Sequence, residues 1–431
     1  MTILRCLAAA ALAACAWTAS AAPAFEVKAN DVWVMVGDSI TAQRFHSNYI
    51  EAYYRTRYPE LNLRFRNSGV GGNRTNHVLQ RFDYDIAAFK PTIVSVELGM
   101  NDVGGGDDPA LYIKEMKEIL GKIGAVPARA LLISSSPVND GSLLDAWKSD
   151  RCRRIHPYTE ALKKLGQEEN VPVVDQYHPL LALWGANKPV EEAAAILARI
   201  PALTQNPALP GTDALRAYAK AWQDAGRTPV ALGGDPVHPG PVGQYMMAAE
   251  ILAGLGAERN VSAAALKADG TVTAAERCRI TDVTAKDGSL SFTRHDERLP
   301  WPLPQAAHDA ARLMPALYDL SRYMLQITGL PEGQYTVQMN GKPLAKVTAR
   351  ELAEGWNLST ATSGALAERG NAILSEIALL QGSLNNAFRA ASRSGDAAKI
   401  AEAAKALDAQ DAKIAALCRP APAQFVIAPA R

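Results

Sequence analysis

Between Val32 and Leu255 the sequence alternates short apolar runs with longer stretches of helical periodicity, and this rhythm constrains the chain more than any other feature. The runs are Val32–Val36, Leu61–Phe65, Thr92–Leu98, Ala130–Ser134 and Val171–Val174. Helical patterns over 43–57, 74–89, 109–122, 150–169 and 241–255 separate or follow them. Strand–helix alternation of this kind predicts an α/β fold, a parallel sheet with helices on both faces. Nearly continuous apolar strands fit burial on both sides. In such sheets ligands bind beyond the carboxyl ends of the strands, and that is where this chain concentrates its polar residues.

Gly37-Asp38-Ser39-Ile40 ends the first run, and Asn67-Ser68-Gly69-Val70-Gly71-Gly72 closes the second. Gly99-Met100-Asn101-Asp102 ends the third, and Asp235-Pro236-Val237-His238 precedes the last helix. A serine that cleaves esters needs a base, a group that orients the base, and donors for the oxyanion. His238 is the candidate base, Asp235 its orienting partner and Ser39 the nucleophile. The backbone N–H groups of Ser39 and Gly72 and the amide of Asn101 are candidate oxyanion donors. Asn73, Arg74 and His77 follow the glycine loop and are candidate substrate contacts. Asp102 reads as a loop brace, and Asp107-Asp108 as a solvated helix start.

These four segments, in this order, resemble the GDSL family, also called SGNH hydrolases after their Ser, Gly, Asn and His. The resemblance covers residues 31–256, with Ile40 standing where the family name has leucine. It implies a three-layer α/β/α flavodoxin-like domain and a metal-free serine esterase mechanism with no cofactor. It does not fix the substrate, and it does not extend past residue 258.

The remaining features bound the organisation. In the 431-residue chain, 45 Lys+Arg balance 44 Asp+Glu, which excludes the charge excess of a nucleic-acid binder. Arg5, an alanine-rich run through Trp17 and Ala19-Ser20-Ala21 read as a signal peptide over 1–21, followed by a domain over 25–258. Leu12-Ala13-Ala14-Cys15 offers the alternative of a lipoprotein anchored at Cys15. The expected location is periplasmic or secreted, with no stable membrane insertion once the leader is gone. Cys152, Cys278 and Cys418 then allow one disulfide, with Cys278–Cys418 preferred; their spacing suits no metal site.

Residues 184–230 interrupt the alternation and read as a helical insertion, over the active-site edge or alternatively as a plain structural buttress. Beyond 258, strand-like runs at 278–283, 289–293, 323–328, 334–339 and 424–427, with a turn at Asn340-Gly341, predict a β-sandwich-like C-terminal region over 259–431. Within it, 365–393 and 396–417 each carry one apolar face. Ser394-Gly395-Asp396 between them predicts a helical hairpin packed on itself and on the sandwich.

The functional expectation is an exported esterase acting on a small ester or acylated carbohydrate, most simply an acetyl ester. Alternatives using the same residues are a lipase, lysophospholipase or thioesterase with 184–230 as an apolar lid, and an acyltransferase to a sugar hydroxyl. In the lipid reading Leu180, Leu181, Leu183, Trp184, Ile196 and Leu197 would line an acyl groove. A binding protein with a vestigial hydrolase is the reading from another class.

Overall fold

The computed structural model describes residues 25–106, 108–138, 150–185, 187 and 230–430. The expected leader, Cys15 and nearly all of the 184–230 insertion, including Ile196 and Leu197, lie outside the described residues.

Five strands form the parallel sheet: β1 (Val32–Gly37), β2 (Arg64–Gly69), β3 (Ile93–Glu97), β4 (Arg129–Ile133) and β5 (Val173–Val174). Their order, β2-β1-β3-β4-β5, is flavodoxin-like, so the chain reverses direction across the sheet beside β1, where a ligand crevice is expected. The helices are α1 (Ser39–Ala42), α2 (Phe45–Arg57), α3 (Thr75–Asp85), α4 (Ala110–Gly124), α5 (Asp150–Glu169), α6 (Tyr177–Gly185) and α7 (Pro241–Gly254). α7 is buried at every position from Val242 to Leu252. An apolar helix of this kind must be covered all round, and the C-terminal region supplies part of the cover: Trp301 stacks on Tyr245 at 4.3 Å and donates to Tyr49 O at 2.8 Å. Leu180, Leu181 and Trp184 are core residues. Among the described residues no helix is long and apolar enough to cross a membrane.

The second strand differs from its expected position. It runs from Arg64 to Gly69 rather than from Leu61 to Phe65, so Arg66, Asn67 and Ser68 are buried strand residues. The glycine-rich run that starts at Asn67 reads as a loop; tertiary partners of Asn67 and Ser68 make the strand possible.

Beyond 258 two sheets form. One has four strands, Trp356–Asn357, Arg322–Thr328, Asn260–Lys267 and Val272–Glu276; the other has five, Lys342–Thr348, Gln334–Met339, Ala423–Pro429, Ser289–Asp296 and Cys278–Lys286. Their facing residues make a second core, in which Phe292 stacks on Phe425 at 5.4 Å. Asn340 and Gly341 take φ values of 52° and 75°, the left-handed pair the hairpin turn requires. Asn260–Lys267 went unread as a strand because its alanines favour helix, and pairing with Arg322–Thr328 overrides that preference.

Two expectations are corrected here. Among the described residues Cys152, Cys278 and Cys418 form no disulfide. Cys278 lies against the second core while Cys418 is buried in the first, so the preferred pair sits in different layers. The helical hairpin forms, with arms over 364–394 and Ala397–Cys418. Its buried apolar residues, Ile373, Ile377, Leu380, Phe388, Leu407 and Ile414, join the α/β core rather than the sandwich core. The hairpin therefore covers α2, α3 and the outer edge of β2, touching the sandwich through its first helix.

Candidate active site

The nucleophile candidate is set by its neighbours. β1 ends at Gly37, and the Asp38 carboxylate accepts the Ile40 N–H at 2.9 Å, turning the chain into α1 so that Ser39 is its first residue. Ser39 Oγ lies 2.7 Å from His238 Nε2. On the other side of the ring, Nδ1 lies 2.8 and 3.0 Å from the two oxygens of Asp235.

The Asp235–His238 turn winds around its own carboxylate. Asp235 Oδ1 accepts the N–H groups of Val237 and His238, each at 2.8 Å, and Asp235 N–H donates to His238 O at 3.0 Å. Gly234 precedes it with φ +76°, and a side chain there would put its Cβ 1.9 Å from His238 O, so only glycine fits. The His238 backbone N–H, its ring and the Val237 N–H hold the Asp235 carboxyl below the ordinary carboxylate range even though it is exposed. An ionised Asp235 accepts from Nδ1–H and leaves the Nε2 lone pair facing the serine hydroxyl, the tautomer a general base requires.

Opposite the histidine, the glycine loop closes on the serine. Asn73 N–H donates to Val70 O at 3.2 Å across a turn in which Gly72 has φ +72°. A Cβ on neighbouring Gly71 would lie 4.0 Å from Ser39 Cβ, which measures how near this backbone comes. Asn101 Nδ2 lies between the two turns, 3.1 Å from Asn73 O and 3.4 Å from Asp38 Oδ2. The glycine loop thus approaches Ser39 through Gly71, and Asn101 links that loop to Asp38 beside the serine.

Behind this front the site rests on buried charge. Burial pushes the Asp38 carboxyl up to about 7; the Ile40 N–H opposes the shift and nearby Glu97 adds to it. His46 Nε2 and Glu97 Oε2 are 3.0 Å apart, and Gln244 and Gln176 hold the far sides of the pair at 3.1 and 2.9 Å. Burial alone would lower the His46 pKa, but the Glu97 charge and the bonds to Glu97 and Gln244 raise it. This pair ties α2, β3 and α7 together beneath α1.

Of the candidate substrate contacts, Asn73 is turned inward, its Oδ1 accepting from Arg81 Nε at 2.8 Å. Arg74 and His77 are exposed, and the Arg74 N–H donates to His77 Nδ1 at 3.1 Å. Asp102 accepts from Thr75 N at 3.1 Å and from Thr75 Oγ1 at 2.8 Å, anchoring the start of α3.

Sequence reasoning missed the supports. Arg81 donates to Ser68 O at 2.8 Å and pairs with Asp85, which Arg389 of the hairpin also binds at 2.8 Å. Asn67 binds Thr41 O at 2.7 Å and Gly69 N–H at 2.9 Å, joining α1 to the glycine loop. Asn67 is in turn held by Gln381 and Asn385 at 2.9 and 2.6 Å. Nothing in the sequence marks Arg81, Asp85, Gln381, Asn385 and Arg389 as more than polar positions of helices.

Residues 35–245 match the GDSL-like lipase/acylhydrolase family. A relative, an acetylxylan esterase of Geobacillus stearothermophilus, is 28% identical over 168 residues, covering 35% of this chain and 76% of that protein. Among solved structures, a gut microbial diltiazem-metabolizing enzyme superimposes with a TM-score of 0.72 at 20% identity, across 94% of this chain and 99% of the other. The shared fold therefore runs well past the parallel sheet into the C-terminal region.

Proposed function

The chain belongs to the GDSL-like lipase/acylhydrolase family through residues 35–245, and from that premise we propose that Ser39, His238 and Asp235 cleave short-chain esters, acetyl above all, carried on a carbohydrate. It is a carboxylic ester hydrolase. The observation that carries the catalytic reading is the pair of distances through one imidazole, 2.7 Å to Ser39 Oγ and 2.8 Å to Asp235 Oδ2.

In this reading Ser39 Oγ attacks the ester carbonyl as His238 Nε2 takes its proton, and Asp235 holds the resulting imidazolium. The carbonyl oxygen, now negative, takes hydrogen bonds from the Ser39 and Gly72 N–H groups and from Asn101 Nδ2. The C–O bond to the alcohol then breaks, and Nε2–H returns the proton to the departing oxygen. Water, deprotonated by the same nitrogen, attacks the acyl-serine, releasing the acid and restoring Ser39.

The likeness to an acetylxylan esterase supports an acetylated carbohydrate. So does the composition of the rim, where Arg74, Asn76 and His77 are exposed. Leu180, Leu181 and Trp184, the described candidates for an acyl groove that are fully enclosed, are committed to the core. Each buried methylene of a long acyl chain contributes about 0.8 kcal/mol, and only a continuous apolar surface can harvest it. The apolar leader behind Arg5 supports export, for which the measurable sign is a mature terminus near Ala22 in a secreting host.

A series of nitrophenyl esters tests the acyl preference: activity peaks at acetyl or propionyl and falls by octanoyl, and a rise towards octanoyl overturns it. In the same assay Ser39→Ala neither turns over ester nor reacts with a fluorophosphonate, and His238→Ala is nearly as inactive. Asn101→Ala loses about 100- to 1000-fold in kcat, the effect of removing one oxyanion donor. Near-normal turnover by Ser39→Ala would remove the assignment.

A further inference from the structure

Three side chains with metal-ligand chemistry meet at the β5 edge of the parallel sheet. That edge is three strand positions from β1 and Ser39, on the order of 14 Å across the sheet. His156 and Glu160 stand one turn apart on α5, and His178 lies in the first turn of α6. The linear spacing of the cysteines pointed to no metal set, and folding assembles this one from different residues. His156 Nδ1 is 3.2 Å from His178 Nε2, Glu160 Oε1 is 3.9 Å from the same nitrogen, and the three ligand atoms all lie within 4.8 Å of one another. A tetrahedral ion with bonds of about 2.0–2.1 Å holds its ligand atoms roughly 3.3 Å apart, so the two imidazoles are already near that separation.

The second layer is present as well. His178 Nδ1 lies 2.7 Å from Asp175 Oδ2, and Asp175 also accepts the His178 backbone N–H at 3.2 Å. With Nδ1–H donated to a carboxylate, Nε2 keeps its lone pair directed at the cluster, the arrangement that fixes a ligating histidine. Lys163 stands over the carboxylates, 2.9 Å from Glu160 Oε1 and 3.5 Å from Asp175 Oδ2. Its side chain is 38% exposed and can withdraw into water when a dication replaces it.

We propose that His156, Glu160 and His178 form a zinc-binding site, oriented by Asp175, that clasps α5 to α6 across the β5 edge. Two imidazoles and one carboxylate select zinc over magnesium or calcium, which take oxygen ligands. A fourth position remains for water. The site is separate from Ser39 and His238 and has no part in ester cleavage.

The test is titration of the chelator-stripped full-length protein with Zn2+ against a chromophoric competitor, with Co2+ as a spectroscopic substitute. One Zn2+ binds per chain, Co2+ gives the visible absorption of a four-coordinate site, and Zn2+ raises the melting temperature. Asp175→Asn weakens binding by about 10- to 100-fold, the usual effect of removing such a partner. The double variant His156→Ala/His178→Ala abolishes binding and the thermal shift while keeping wild-type esterase activity in chelator, which shows that it folds. Lys163→Ala, lacking the competing cation, binds more tightly. A wild-type protein that takes up no Zn2+, a double variant that binds as wild type does, or weaker binding by Lys163→Ala each overturns the proposal.

Discussion

Glu250 shows at the scale of one residue how burial sets a measurable property. It lies on α7, 6% exposed, and burial pushes its carboxyl up to about 7. Below the ordinary carboxylate value it is neutral in both folded and unfolded chains and costs nothing. Between there and about pH 7 the unfolded chain has lost the proton that the folded chain keeps. Stability therefore falls as pH rises through this window, and the loss is complete above it. A shift of this size corresponds to about 3 kcal/mol. Glu250→Gln removes the titration, so its advantage over wild type is absent at pH 4 and reaches about 3 kcal/mol by pH 8. Denaturant unfolding at the two pH values measures it; an advantage independent of pH would mean that the proton is not held there.

Among the elements, β2 is the most dependent on others. It is an edge strand, and unpaired edge groups must be covered or left to water. Gln381 receives the Asn67 N–H at 2.9 Å and donates to Phe65 O at 2.8 Å, while Asn385 donates to Asn67 O at 2.6 Å. Two side chains thus replace a neighbouring strand. They come from a π-helical turn, Leu380–Leu384, and the residue just after it. The extra residue in that turn lets both amides face β2 while Ile377 and Phe388 stay in the core. Gln381→Ala and Asn385→Ala each leave buried backbone groups without partners and cost about 1–3 kcal/mol. Because Asn67 also joins α1 to the glycine loop, kcat falls with little change in KM. The loss reaches about a hundredfold if the loop moves by an ångström. Urea unfolding with steady-state kinetics checks both, and unchanged kcat in a destabilised variant would limit these residues to stability.

Across the whole molecule the hairpin belongs with the α/β layer. Asp411 binds Arg66 at 2.5 Å and pairs with Arg55, which also holds Glu51 at 2.7 Å, all in the interior. Breaking such a cluster from one side strands buried charge, a loss of about 3–5 kcal/mol for each broken pair. Removing residues 364–418 therefore aggregates the protein and abolishes esterase activity, although Ser39, Asp235 and His238 remain in the chain. Size-exclusion chromatography and ester turnover decide the matter; a monomeric, active deletion protein would show that the α/β layer stands alone.

The sequence by itself determined the parallel α/β layer, because apolar runs and helical periodicity are local signals. It also determined the order of the four polar segments, because each sits at a strand end or turn marked by glycine or proline. It marked Ser39, Gly72, Asn101, Asp235 and His238 as candidates, since acyl chemistry needs those residue types. The tertiary structure decided what depends on contacts between residues hundreds of positions apart. It made Asn67 strand rather than loop and buried Arg66 beside it, because Gln381, Asn385 and Asp411 satisfy them. It turned the hairpin towards the α/β layer, because buried ion pairs and edge-strand carbonyls lay there to be met. A polar residue in a helix carries no local sign of which buried group it will meet, and that choice is made only when the layers pack.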